Sequence, residues 1–99
     1  MILISKYNIE DNKFNLRLNT DEKILHFENI EEVKNHIMRT YDEYEPDIPQ
    51  SIRNVFCDLI EVKFKKLKIE SPQEYDELIE HEIHLSRILN EYVLFHGLN

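Results

Sequence analysis

The chain has one glycine, one cysteine and no tryptophan among its 99 residues. Loops that cradle a phosphate or a dinucleotide need glycine where the backbone must approach its ligand closely. With Gly97 alone, near the end of the chain, both are excluded. Turns must be built from Asn and Asp, which tolerate left-handed backbone better than most residues. Cys57 has no second cysteine to pair with, so no intrachain disulfide forms and the expected home is a reducing cytoplasm. Long apolar runs are missing as well. Residues 1–4 are apolar but Ser5 and Lys6 follow, far short of a signal-peptide core or the roughly 20 residues of a membrane span. Secretion and membrane insertion are disfavoured.

Charge of one sign is in excess. The formal net is −8, and it is unevenly spread. Residues 28–49 carry seven acids and two bases, 50–69 two acids and five bases, 70–99 seven acids and one base, while 1–27 balance. Two acidic stretches thus flank a basic one. Such a surface repels nucleic acid and anionic membranes, so the expected strong partner is a basic protein surface or a second copy of the chain. The length suits one domain with a single core, too small for a cleft between subdomains. An apolar fraction of 41% argues against wholesale disorder despite 32% charged residues.

Local patterning predicts an α+β domain. Leu3, Tyr7 and Ile9 alternate, as do Phe14, Leu16 and Leu18, and a third apolar stretch covers 23–27. Period two signals strands, here a three-stranded antiparallel β-meander. Asn29 with Glu32 reads as a helix N-cap and its N3 acid, opening a helix over 30–41. Residues 42–49 hold four acids and two prolines and read as an exposed acidic loop. A second amphipathic helix follows Ser51; whether 62–69 continues it or forms a strand is open, with helix favoured. Ser71, Pro72 and Glu74 supply N-cap, N1 and N3 of a third helix running to Gly97. At about 25 residues it would be roughly 37 Å long, longer than a core of this size needs. The expected order is βββααα with a long C-terminal helix.

No motif carries catalytic chemistry. Glu77, His81 and His84 share a helical face, but histidines three apart are not the zinc-protease spacing and no fourth ligand is evident, so no metal or cofactor is expected. Cys57 on an apolar stripe reads as a buried, unreactive thiol. Lys63, Lys65, Lys66 and Lys68, with Arg53 nearby, form the one basic patch, read as a solvated face that pairs with acids of this chain or a second copy.

A non-enzymatic role is expected. The leading expectation is an acidic inhibitor, a nucleic-acid mimic that blocks a basic site on a DNA- or RNA-binding protein. Its contact residues would be Asp42, Glu43, Glu45 and Asp47 in the loop, Tyr44 as an interface anchor, and Glu74, Glu77 and Glu80 on the third helix. The alternative is a small structural or assembly protein that homodimerises through Tyr92, Val93 and Phe95, its acids merely solvated. In size, acidity and scarcity of glycine the chain is similar in style to small phage, viral and mobile-element proteins, among them CRISPR inhibitors, nucleic-acid mimics and toxin-immunity proteins. That likeness is one of composition and assigns no residue.

Overall fold

A computed structural model describes residues 25–96 in full and the backbone alone of 7–10, 13–17 and 24. Three helices follow one another: α1 (Ile30–Tyr44), α2 (Gln50–Lys68) and α3 (Pro72–His96). The α+β class and its three-stranded antiparallel β-meander are overturned by this architecture. Residues 25–96 form an all-helical body, 82% helix, with no meander in it. Toward the N-terminus the backbone runs as short antiparallel segments, Tyr7–Glu10, Lys13–Arg17 and Ile24–Leu25, which end where that body begins. The rest of the expected meander, including Leu3 and Leu18, lies outside the described residues. The reason for the correction is physical. Alternation says which residues would share a strand face, but only packing makes a sheet part of a fold, and segments of two to five residues are marginal alone. The buried residues of the described core are helical apart from Ile48, with Phe27 packed against them.

Each helix begins on a local signal. Asn29 caps α1, its side-chain oxygen accepting from the Glu32 amide at 2.9 Å, while the Glu28 amide donates to the Glu32 carboxylate at 3.3 Å. Val33, Ile37, Thr40 and Tyr41 then fall on one buried face. The helix runs three residues past its expected end, so Asp42, Glu43 and Tyr44 are helical and the loop is only residues 45–49. It stops where the Glu45 amide donates to the Tyr41 carbonyl at 2.8 Å and Pro46 follows. Pro49 precedes α2, and its carbonyl accepts from the amides of Ile52 and Arg53, both at 3.1 Å. Lys65, Lys66 and Lys68 sit in the last turn, where cations complement the carbonyl end of the dipole. The open question over 62–69 is thereby answered as helix through Lys68. At α3 the Glu74 amide reaches the Ser71 hydroxyl at 3.5 Å, a long cap bond.

The middle helix holds the molecule together. Arg53, Phe56, Cys57 and Ile60 recur at turn spacing on the side facing α1, where Tyr41 meets Phe56 edge to face at 5.9 Å. Val55, Leu59, Val62 and Lys66 form a second stripe toward α3, whose own buried residues are Leu85 and Leu89. Two apolar stripes on one helix require a neighbour on each side. The three-residue connection 69–71 folds α3 back antiparallel along α2.

Candidate interaction surface

Arg53 organises the acidic turn between α1 and α2. Although arginines are rarely buried, it is only 7% exposed. Its Nε donates to the Ile48 carbonyl at 2.8 Å, one terminal nitrogen donates to the Pro46 carbonyl at 2.9 Å, and the other to the Asp42 carboxylate. The guanidinium also lies 5.6 Å from the Tyr41 ring centroid. This clamp pulls Ile48 into the core at 5% exposure, which corrects the picture of a wholly exposed 42–49 loop. Around it Asp42, Glu43, Tyr44 and Asp47 remain exposed and Glu45 is half-buried. Arg53, expected in the basic patch, is instead a buried clamp. Its spacing to Phe56, Cys57 and Ile60, on an apolar stripe, was the available signal.

The second acidic group lies on α3. Glu74, Asp76, Glu77 and Glu80 are all exposed, and none is in an ion pair among the described residues. Successive carboxylates at 74, 77 and 80 stand about 5 Å apart along the axis. They do not form one set. Glu74 and Glu77 border an open groove of about 570 Å³ between the end of α2 and the start of α3, floored by Phe64 and Leu78 and shared with Lys65 and Lys68. Asp76 and Glu80 sit two to three positions round the helix, opposite the stripe of Leu85 and Leu89. Lysines therefore offset part of the field at Glu74 and Glu77, while Glu80 faces open solvent.

The expected contact residues also split by position. The 42–47 group sits at the start of α2 and Glu74 beyond its end, and 19 residues of helix span about 28 Å. The chain presents two acidic patches, one at each end of α2. No family model matches the chain, and no curated protein or solved structure is significantly similar to it.

Elsewhere, two of the five bases of the basic stretch are paired within the chain, Lys66 with Glu82 and Arg53 with Asp42, and Lys34 of α1 reaches Glu61 of α2 at 3.5 Å. Lys68 lies over the Phe64 ring at 4.1 Å. Tyr92 and Val93 are half-buried against the core, whereas Phe95 is 86% exposed beside Leu94 at 80%. Among the described residues no three His, Cys, Asp or Glu side chains converge on a metal, so Glu77, His81 and His84 are not gathered into a ligand set. Cys57 is buried, and that burial pushes its thiol up to about 11. Among the described residues no helix is long and apolar enough to cross a membrane.

Proposed function

We propose that this protein is a non-enzymatic, cytoplasmic inhibitor that binds a basic surface of another protein, such as the nucleic-acid channel of a DNA- or RNA-binding enzyme, through the first turns of α3. The observation that carries the reading is that Glu74, Asp76, Glu77 and Glu80 are all exposed and without ion pairs among the described residues, Asp76 and Glu80 lying outside the groove that Lys65 and Lys68 share, while Arg53, Lys66 and Lys34 are paired within the chain. Carboxylates at turn spacing, least offset by lysine at Asp76 and Glu80, offer a basic site the charge that a phosphate backbone would. Tyr44, 53% exposed at the far end of α2, gives the second acidic patch an aromatic anchor for a partner broad enough to span both. The buried Cys57 thiol fits a reducing compartment.

The test is a tagged pull-down from lysate of the source cells, using the native chain and Glu77→Lys/Glu80→Lys as parallel baits with washes at low and high salt. A basic nucleic-acid-binding protein retained by the native bait at low salt, released at high salt and lost by the variant supports the proposal. Equal capture of that partner by both baits refutes it.

A further inference from the structure

On the side of α3 turned away from the core, Ile83, Arg87, Asn90 and Leu94 recur at intervals of four, three and four residues and so form one stripe. Ile83 is 53% exposed and Leu94 80%, and a shallow groove of about 350 Å³ runs along the stripe beside Glu91. Neither Arg87 nor Glu91 enters an ion pair among the described residues. Two large apolar side chains three turns apart, with an arginine between them, thus stand outside the core and the residues packed against it.

We propose that this stripe is a homodimer interface, with α3 packed antiparallel on α3 of a second copy. Two-fold symmetry requires that if one residue faces another, the reverse contact is made as well. An axis between Arg87 and Asn90 satisfies that condition: Ile83 of each copy meets Leu94 of the other, and Arg87 comes beside Asn90 and Glu91 of the other. Two symmetry-related Arg87–Glu91 pairs then lie between the two apolar contacts. The alternatives are penalised by charge. Moving the axis onto Arg87 sets arginine against arginine, and a parallel pair does the same while bringing the two acidic starts of α3 together. Antiparallel packing also opposes the helix dipoles favourably.

In this arrangement Asp76 and Glu80 of the two copies lie at opposite ends of the pair, so the inference does not depend on the inhibitor reading. The stripe is narrow. Such an interface falls at the small end of specific contacts, below about 1,200 Å² in total, where association is weak to moderate.

Sedimentation velocity of the full chain across micromolar to millimolar concentration tests the proposal, with helicity followed by circular dichroism. The native chain is expected to pass from monomer to dimer. Arg87→Glu and Glu91→Arg, both at exposed positions, should each weaken the dimer about tenfold. The double swap should restore it, and Leu94→Asp should abolish it. Glu77→Lys should leave it intact, which separates this result from the inhibitor test. A native chain that stays monomeric throughout overturns the proposal. So does a dimer indifferent to the single reversals, or one that the double swap fails to recover.

Discussion

Replacing Arg53 should damage the fold far more than removing its acidic partner. Arg53→Ala deletes the donors to the Ile48 and Pro46 carbonyls, at 2.8 and 2.9 Å, and the pairing with Asp42. The Ile48 carbonyl lies in buried surroundings, so leaving it unpaired costs its full desolvation, about 1 to 3 kcal/mol. The Pro46 carbonyl is partly buried and recovers some of its loss from water. With the guanidinium's contact over the Tyr41 ring also gone, the total should be about 3 kcal/mol, which for a domain of this size lowers Tm by roughly 12 to 24 °C. Asp42 is different. Its side chain is 70% exposed, so Asp42→Ala should cost no more than about 1 kcal/mol. Urea unfolding followed by circular dichroism measures both variants, and Arg53→Met, which keeps the volume without the donors, should resemble Arg53→Ala. If Arg53→Ala cost less than about 1 kcal/mol, or Asp42→Ala cost as much as Arg53→Ala, the clamp would not be what holds the turn.

Asn29→Ala should lose about 1 kcal/mol in the same assay, and Ser71→Ala distinctly less, because the first cap bond is 2.9 Å and the second 3.5 Å. Cys57, with its thiol pushed up to about 11, should resist a thiol-directed disulfide reagent at pH 8 and react only after urea unfolding; rapid native labelling would contradict its burial. His36 has its pKa lowered by burial and then by Arg39, its Nε2 is buried without a hydrogen-bond partner, and its ring lies 5.2 Å from Phe27. The unfolded chain therefore takes up a proton first. This contribution to stability is complete above about pH 6.5 and is lost as pH falls from there toward the folded-state value. Comparing urea midpoints of the native chain and His36→Gln across that window should show a shallower slope in the variant, and identical slopes would remove His36 as the cause.

The helices were legible because their signals are local. Asn29 with Glu32, and Ser71 with Pro72 and Glu74, mark starts through bonds made within one turn, and the apolar spacing of Val33, Ile37 and Tyr41 names a buried face directly. The expected end of α1 was early because Asp42, Glu43 and Tyr44 are polar or exposed. Composition there suggests a loop, while the backbone continues until the Glu45 amide closes on Tyr41. Misassigning the fold class has a different origin. A period of two in residues 14–18 is a statement about one segment, whereas an α+β class requires that segment to meet a core, and the described core is helical apart from Ile48.

By itself, then, the sequence determined the absence of phosphate-cradling glycine loops, the lone unpaired cysteine, the acidic excess and the starts of α1 and α3. Each follows from counting residues or from bonds a few positions long. The tertiary structure alone decided that Arg53 is a buried clamp, that the two groups of acids stand at opposite ends of α2, and that Tyr92 and Val93 lean on the core while Ile83 and Leu94 face outward. Those outcomes depend on which face of each helix its neighbours cover. That is set when α2 packs between α1 and α3, bringing together residues that no local pattern relates.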